Sequence, residues 1–306
     1  MSILLVGSIA LDSVETPFDK IDNALGGSAT YGSIAASYFT HPTNIVGVVG
    51  EDFPKEHIEL LKQHNVDLEG LEIIEGGKTF RWGGKYHFDL NNRDTLFTDL
   101  NVFENFDPKI PEQYKNCSHI VLGNIQPELQ LKVLDQLVDP KLIICDTMNL
   151  WIEIAKEKLL EVIKRVNVLI INDSEARQLT DEPNLIKAAS IIRSMGPEYL
   201  IIKKGEHGAL LFGEKAIFSA PAYPLENIFD PTGAGDTFAG GFGGYMNKTN
   251  DFSFENMKRA VIYGSTMASF CVEKFSTKGI ENLELDEIHS RFLEFKELTT
   301  FEDDNI

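Results

Sequence analysis

Short apolar runs alternate along the chain with amphipathic segments of helical spacing. The runs are rich in β-branched residues and mostly apolar at every position, which is typical of central strands in a parallel sheet. They lie at residues 3 to 11, 44 to 50, 119 to 124, 141 to 147, 168 to 173 and 199 to 205. Helical patterns follow at residues 28 to 39, 54 to 65, 127 to 138 and 151 to 166, and again after residue 241 almost to the end. This alternation predicts an α/β fold, doubly wound, with a largely parallel sheet flanked by helices.

One segment, Thr79 to Leu90, departs from this pattern. Its even positions are mostly apolar and its odd positions mostly polar, a period of two that predicts a strand or hairpin with one apolar face. Residues 95 to 103 and 14 to 18 are candidate partners. We therefore expect a small antiparallel β lid, formed by residues 13–25 and 72–103 and inserted in a single domain of residues 1–306. Two alternatives to a lid are that these strands form a dimer surface or that they are an edge hairpin packed on the main core.

Charge and composition restrict the function. The chain has 47 acidic and 28 basic residues and a net charge of −19, which repels polyanions and argues against nucleic-acid binding. A phosphate site must therefore be built locally, from amide dipoles, a few lysines and a bound cation. No apolar run is long enough for a membrane span and no secretion signal is evident, so we expect a cytoplasmic protein without a membrane partner. The three cysteines lack CxxC spacing and are expected to be buried thiols, and the acidic end FEDDNI is expected to fray.

The stretch DPTGAGDTFAGG, residues 230 to 241, contains four glycines and two aspartates. A dinucleotide fingerprint starting at Gly233 would need glycine where Phe238 stands, and it normally follows the first strand. The sequence GGKT at 76 to 79 imitates a Walker A loop, but Glu72 occupies the position of its first glycine. Both interpretations fail.

The remaining interpretation is a glycine loop that opens a helix. Thr232 is the expected N-cap, and the helix should begin at residues 233 to 235. Glycines there leave the first amides open to a phosphate, and the helix dipole favours an anion. Asp236 would then lie in the first turn, either as a dipole partner or as a base that accepts the proton of an attacking hydroxyl.

These residues resemble the C-terminal signature of the PfkB, or ribokinase-like, carbohydrate kinases, which transfer the γ-phosphoryl group of ATP to a sugar or nucleoside hydroxyl. The resemblance implies that Asp236 is the catalytic base and that the amides of Gly233, Ala234, Gly235 and Asp236 form the anion hole. It extends over most of the chain.

Near the N-terminus, GSIALD and GGSATYGSIAAS are similar to the family's first strand and di-glycine helix start, which implies that Asp12, Gly26 and Gly27 contact acceptor hydroxyls. From the residues alone, Asp12 ends a buried strand, where open α/β sheets bind ligands, or else caps a turn. Many sugar-directed members have asparagine where Tyr31 stands, and Tyr31 is expected to hydrogen-bond a hydroxyl or stack on a base. Arg81 is a candidate contact for an acidic or phosphorylated sugar.

Two further stretches match the family. NDSE at 172 to 175 looks like the NxxE motif, which implies that Asn172 and Glu175 place magnesium and phosphates, Glu175 acting on the metal indirectly; Glu175 is otherwise a first-turn helix charge. KKGEHGALLF resembles the strand pair beside the nucleotide and implies contacts from Lys203 and Gly205. Because adjacent strand residues face opposite sides, only one of Lys203 and Lys204 can serve the site.

The resemblance also implies a potassium site near Asp230 and Thr232 and dimerisation through the lids. We expect an ATP- and magnesium-dependent sugar kinase that phosphorylates a hydroxymethyl group. A nucleoside kinase of the same family is the first alternative, since Phe80, Trp82 and Tyr86 offer rings for stacking on a base. A non-catalytic sensor of nucleotide or sugar is the second.

Overall fold

The computed structural model describes residues 2 to 300, and these residues form thirteen strands in two sheets. The strands are β1 (Ile3–Val6), β2 (Ala10–Glu15), β3 (Lys20–Gly26), β4 (Thr43–Gly50), β5 (Val66–Ile74), β6 (Phe80–Tyr86), β7 (Arg93–Asp99), β8 (His119–Leu122), β9 (Leu142–Asp146), β10 (Val168–Asn172), β11 (Tyr199–Lys203), β12 (Ala209–Phe212) and β13 (Ile217–Ala220). The end segment FEDDNI, which was expected to fray, lies outside the described residues.

The larger sheet has nine strands in the order β13-β12-β11-β10-β9-β8-β1-β4-β5. All neighbours from β11 to β5 pair in parallel, while β12 is antiparallel to both β11 and β13. The predicted doubly wound, largely parallel sheet is therefore confirmed. Its central strands are buried along their whole length, as their continuous apolar runs indicate.

Ten α-helices cover the two faces of this sheet within the described residues. They are α1 (Ser28–Ser37), α2 (Lys55–Gln63), α3 (Pro127–Leu134), α4 (Asn149–Ile154), α5 (Lys156–Ile163), α6 (Asp173–Thr180), α7 (Leu185–Ser194), α8 (Ala234–Thr249), α9 (Phe254–Cys271) and α10 (Leu285–Glu297). Helices α3 to α7 pack on one face, and α1, α2, α8, α9 and α10 on the other. None of the helices within residues 2 to 300 is long and apolar enough to cross a membrane.

The smaller sheet has four strands in the order β3-β2-β6-β7. The outer pairs β2–β3 and β6–β7 are antiparallel, and the middle pair β2–β6 is parallel. Strand β6 ends at Tyr86, so the predicted alternation does not continue to Leu90, and Phe88 lies 83% exposed in the turn to β7. The sheet thus uses residues from both predicted lid segments, while β5, including residues 72 to 74, belongs to the large sheet.

Two predicted elements are divided. The run at 3 to 11 forms β1 and β2 in different sheets, because Ser8 between them exchanges hydrogen bonds with Ser28 at the start of α1. The helical pattern at 151 to 166 is interrupted at Ala155, whose ψ of 29° separates α4 from α5.

Candidate active site

The start of α8 forms the centre of the candidate site. Gly233 is its N-cap, with φ 76°, and a Cβ there would lie 2.4 Å from ring carbons of Tyr31, so only glycine fits this position. The prediction of Thr232 as N-cap is wrong. Its hydroxyl contacts the Tyr86 hydroxyl at 3.2 Å instead, and its amide donates to Asp230.

The amides of this loop differ in availability. The Ala234 amide donates to the Pro231 carbonyl at 3.2 Å, so that member of the expected anion hole already has a partner. The Gly233 and Gly235 amides have no acceptor among residues 2 to 300. A phosphate oxygen could accept hydrogen bonds from both amides. A Cβ on Gly233 would clash with the Tyr31 ring and a Cβ on Gly235 with Lys203 Nζ.

Asp236 follows in the first turn of α8 and is partly buried. Its pKa is raised to about 7, mainly by loss of hydration and then by the charge of Asp146, while the charges of Lys203 and Arg93 oppose the shift. A carboxyl with a pKa near neutral pH is suited to accept a proton from a hydroxyl and release it again.

Lys203 ends β11 and forms a buried ion pair with Asp146 at the end of β9, with 3.0 Å between Nζ and Oδ2. A Cβ on Gly235 would lie 2.8 Å from Nζ, so this glycine lets the lysine approach the helix start. Burial lowers the pKa of Lys203, but the charges of Asp146 and Glu175 outweigh burial and raise the pKa above its ordinary value. Of the two neighbouring lysines, Lys203 therefore faces the site.

Asn172 and Glu175 form a capping box at the start of α6. The Asn172 side chain accepts from the Glu175 amide at 2.8 Å, and the Glu175 carboxylate accepts from the Asn172 amide at 2.7 Å. The pKa of Glu175 is raised to about 7, mainly by burial, with the charge of Lys203 opposing the shift and the charge of Asp146 adding to it. The motif thus has a structural role that is compatible with the expected one, because one Glu175 oxygen is not used in the box.

The sequence suggested that Asp12 ends a strand of the large sheet. It lies instead inside β2 of the small sheet. It is paired with Ala24 on one side and Trp82 on the other, and it is 6% exposed. Burial, and then the charges of Asp230 and Asp236, raise its pKa to about 7, while the Gly27 amide donates to it. A Cβ on Gly26 would lie 2.0 Å from its carboxylate, so that glycine makes room for Asp12.

The other two residues predicted to contact the acceptor, Tyr31 and Arg81, contact other residues of the protein. Tyr31 is buried beneath Gly233. Arg81 donates to Asn23 at 2.7 Å and to Asp52 at 3.0 Å, and so ties the small sheet to the loop after β4.

The two residues expected near a potassium ion, Asp230 and Thr232, lie in the segment just before α8. The Asp230 carboxylate, 1% exposed, accepts from the amides of Thr232 at 2.9 Å and Ser276 at 3.1 Å. Burial raises its pKa. Within residues 2 to 300, no three His, Cys, Asp or Glu side chains are placed to hold a metal ion together.

The small sheet contacts the large domain near both expected ligand positions. Tyr86 meets Thr232 as described, and the Asn91 side chain lies 3.2 Å from where a Gly205 Cβ would stand and 3.4 Å from Glu206. Gly205 itself has φ 54° and begins a 3₁₀ turn after β11. The small sheet therefore contacts the segment before α8 and the turn after β11.

Sequence reasoning missed Asp146 and Arg93. Asp146 ends an apolar strand, and that position at the carboxyl edge of a parallel sheet was a usable signal. Arg93 stands in a polar stretch without any pattern, and only the β6–β7 register brings it opposite Tyr86.

Comparison with known proteins agrees with this geometry. The model of the pfkB family carbohydrate kinases matches residues 6–282. The cytidine kinase of Thermococcus kodakarensis is 30% identical over 247 residues, which cover 79% of this chain and 87% of that protein. The nucleoside kinase of Methanocaldococcus jannaschii is 25% identical over 251 residues, 81% of this chain and 79% of that protein.

Solved structures show the same fold. The crystal structure of the M. jannaschii nucleoside kinase superposes with a TM-score of 0.75 at 23% identity, covering 96% of this chain and 98% of that one. Arabidopsis thaliana ribokinase, solved with ribose and ATP, gives a TM-score of 0.75 at 18% identity over 95% and 98% of the two chains. A putative ribokinase II of E. coli, solved in complex with ATP and Mg²⁺, gives a TM-score of 0.77 at 19% identity over 96% and 99% of the two chains. The chain belongs to the pfkB family of carbohydrate kinases and is a phosphotransferase that acts on a sugar or nucleoside.

Proposed function

We propose that this kinase transfers the γ-phosphoryl group of ATP to a hydroxymethyl group of a nucleoside, with Asp236 as the base. The observation that carries this proposal is the start of α8, where Asp236 follows Gly233 and Gly235, whose amides have no acceptor among residues 2 to 300. Asp12 and Lys203 lie close enough to Asp236 for their charges to act on one another.

In the proposed mechanism, Asp12 and the Gly26 and Gly27 backbone hold the acceptor, and Asp236 takes the proton of its hydroxyl. The open amides of Gly233 and Gly235 donate hydrogen bonds to oxygens that gain negative charge during transfer. Bound Mg-ATP supplies the phosphoryl group and neutralises part of its charge.

The nucleotide side is assigned to residues at the ends of β10 and β11. Asn172 and Glu175 place magnesium and the phosphates, with Glu175 acting on the metal indirectly, and Lys203 and Gly205 contact the nucleotide. Support comes from the Glu175 oxygen that the capping box does not use and from the position of Lys203 against Gly235.

A nucleoside is favoured as acceptor by the two relatives described above, whose names are cytidine kinase and nucleoside kinase. In the small sheet, Asp12 is the cross-strand neighbour of Trp82, which places a ring for base stacking beside a carboxylate for ribose hydroxyls. A free sugar is the second candidate, favoured by the matching ribokinases.

The two candidates are separated by measuring ADP release with MgATP and a panel of nucleosides, pentoses, hexoses and sugar phosphates. We expect cytidine or another nucleoside to give a higher kcat/KM than ribose. A higher value for ribose or fructose would make the sugar the acceptor. Tight ATP binding without turnover of any acceptor would favour the sensor.

We further propose that the small sheet is a subdomain inserted in the kinase domain and that it acts as a lid. The lid would exclude water, which would otherwise compete with the acceptor. Its contacts with Thr232 and with the Gly205 turn support this role.

Activity should depend on the ionisation of Asp236. Because its pKa is raised to about 7 and the base must be unprotonated, kcat/KM should rise with pH and level off above about pH 7. The measurement is kcat/KM for the acceptor at constant ionic strength between about pH 5 and pH 9. A profile that stays flat down to about pH 5 would contradict the assignment.

Potassium is proposed to bind near Asp230 and Thr232. Asp230 is buried, and among residues 2 to 300 its carboxylate accepts hydrogen bonds from two backbone amides, so a nearby cation would offset its charge. ADP release should therefore be faster in potassium chloride than in choline chloride of the same ionic strength. Equal rates would exclude this role for potassium.

Dimerisation through the lid is proposed from its exposed apolar side chains. Phe18 is 63% exposed, Phe88 83% and Leu96 57%, and the Phe18 and Phe88 rings lie 6.5 Å apart. We expect light scattering to show a dimer in the wild type and a monomer in Phe88→Asp. The control is Ile154→Asp, which charges a 65% exposed residue on α4. A monomeric wild type would refute the proposal.

We also propose that the enzyme works in the cytoplasm, where its ATP is available. All three cysteines are free and buried, which suits a reducing compartment. Fractionation of the source cells would test this location.

A further inference from the structure

Ser276 has an unusual backbone conformation for a buried residue. It begins a short 3₁₀ turn between α9 and α10, is 5% exposed, and has φ 58°, in the left-handed region that favours glycine. This conformation costs a serine free energy, so the surrounding structure must hold it in place. Strained residues of this kind are concentrated at functional sites, and the contacts of Ser276 indicate its role.

Ser276 joins two parts of the candidate site that are far apart in the sequence. Its amide donates to the Asp230 carboxylate at 3.1 Å, and its hydroxyl donates to the Leu25 carbonyl at 2.5 Å. Asp230 lies in the segment before α8, whereas Leu25 lies near the end of β3 in the small sheet. One buried residue thus connects the small sheet to the segment that leads to Asp236.

The contact with Leu25 affects the surroundings of Asp12. Leu25 pairs with Leu11 on β2, the residue before Asp12, and Gly26 follows it. A Cβ on Gly26 would lie 2.0 Å from the Asp12 carboxylate, and the Gly27 amide donates to that carboxylate. A shift in the end of β3 would therefore displace Asp12 or remove its hydrogen bond.

The contact with Asp230 affects the start of α8. One oxygen of this carboxylate accepts from the Ser276 amide, and the other accepts from the Thr232 amide at 2.9 Å. Gly233, the N-cap of α8, follows directly, and Asp236 lies three residues further on. Through the two oxygens of Asp230, the position of Ser276 is linked to that of the proposed base.

The segment after Ser276 is held by residues that follow α1 and α2. The Tyr38 hydroxyl donates to the Ile280 carbonyl at 2.6 Å. The His64 Nε2 atom lies 3.0 Å from the Glu281 carbonyl oxygen. Because these contacts fix the chain just beyond the 3₁₀ turn, Ser276 has a rigid support from which its hydroxyl can hold β3.

We propose that Ser276 is a positioning residue, which sets Asp12, the proposed acceptor contact, against Asp236, the proposed base. The inference rests on the proposed function. The Ser276 hydroxyl holds the end of β3, and its amide holds the segment before α8, so the two carboxyl groups keep a fixed separation. Glycine would adopt the same φ at lower cost but has no hydroxyl, and this hydrogen bond is what offsets the strain of the serine backbone.

Two substitutions separate the hydroxyl from the backbone. Ser276→Gly and Ser276→Ala both remove the hydrogen bond to Leu25, but only glycine relieves the strain at φ 58°. We therefore expect Ser276→Gly to unfold at a higher urea concentration than Ser276→Ala. Both variants should nevertheless lower kcat/KM for the acceptor by roughly tenfold or more. The KM of MgATP should be unchanged, since the proposed nucleotide contacts lie at the ends of β10 and β11.

The control is Asn250→Gly, which relieves another left-handed residue, with φ 48°, at the opposite end of α8. This variant should keep the wild-type kcat/KM for the acceptor. If Ser276→Gly also kept it, or if the activities of the two Ser276 variants followed their stabilities, the serine would have a structural role alone and the proposal would be overturned.

A measurement without an acceptor keeps this proposal distinct from the proposed function. In Ser276→Gly, amide hydrogen exchange should become faster by roughly tenfold in residues 20 to 27, with β10 as the unchanged internal reference. Unchanged exchange in residues 20 to 27 would overturn the role of Ser276 whether or not an acceptor is known. If the wild type phosphorylates no acceptor but this exchange does become faster, the proposed function fails and the hold of Ser276 on β3 is supported.

Discussion

Replacing Asp236 with asparagine should lower kcat by at least about 10²-fold, the low end for removal of a general base. Asparagine has nearly the same shape and can still occupy the first turn of α8, but it cannot accept the hydroxyl proton. The affinity for MgATP should change little or increase, because a carboxylate near the phosphates is removed. The measurement is ADP release under saturating substrates, together with calorimetric titration of MgATP.

A matched control is Asp286→Asn, which makes the same substitution in the first turn of α10. Helix α10 packs on the cluster of α1 and α9, and Asp286 itself is exposed. This variant should retain wild-type kcat, since it loses only a favourable dipole contact. Near-normal turnover in Asp236→Asn would refute the base assignment, and a large loss in both variants would point to a general effect on folding.

The contiguous motif made the centre of the site predictable. Gly233, Gly235 and Asp236 lie within four positions, so helix geometry alone relates them to one another. The N-cap was assigned wrongly because Thr232 has the side chain that caps prefer. Its hydroxyl meets Tyr86, which is 146 residues away in sequence, and local patterns carry no information on such a contact.

The fold was predictable where burial is uniform. Strands such as β9 and β10 are buried on both faces, and their continuous apolar runs indicate this directly. The boundary between β1 and β2 was not predictable, because the run at 3 to 11 stays apolar while the chain passes from one sheet to the other. Consequently Asp12 was expected at the edge of the large sheet and lies in the small one.

The charge network depends on strand order. The pair of Lys203 and Asp146 joins β11 to β9 across the end of β10, and Arg93 approaches only through the pairing of β7 with β6. Strand order depends on which strands pair edge to edge, so it cannot be obtained from the spacing of charged residues. These contacts are the part of the site that required the structure.

Asp12→Asn should change stability and activity in opposite directions. Burial raises the pKa of Asp12 from 3.8 to about 7, so the folded state prefers its neutral form. The contribution of Asp12 to stability is present below about pH 4 and is lost as the pH rises through about 7, by up to the order of 4 kcal/mol. Asparagine is neutral at every pH and its oxygen can still accept from the Gly27 amide, so the variant should unfold at higher denaturant concentration at pH 8.

The test is urea unfolding of both proteins near pH 4 and pH 8, with Asp22→Asn on the exposed side of β3 as control. The free energies of unfolding of Asp12→Asn and the wild type should agree at the lower pH and differ by a few kcal/mol at the higher pH, while Asp22→Asn follows the wild type. Since the ionised carboxylate is the proposed partner of acceptor hydroxyls, kcat/KM for the acceptor should fall by roughly tenfold or more. Equal stability at pH 8 would mean that neighbouring groups fully compensate the buried charge. A stabilised variant with unchanged kcat/KM would show that Asp12 does not bind the acceptor. The free energy lost by burying its carboxylate would then not be offset by tighter acceptor binding.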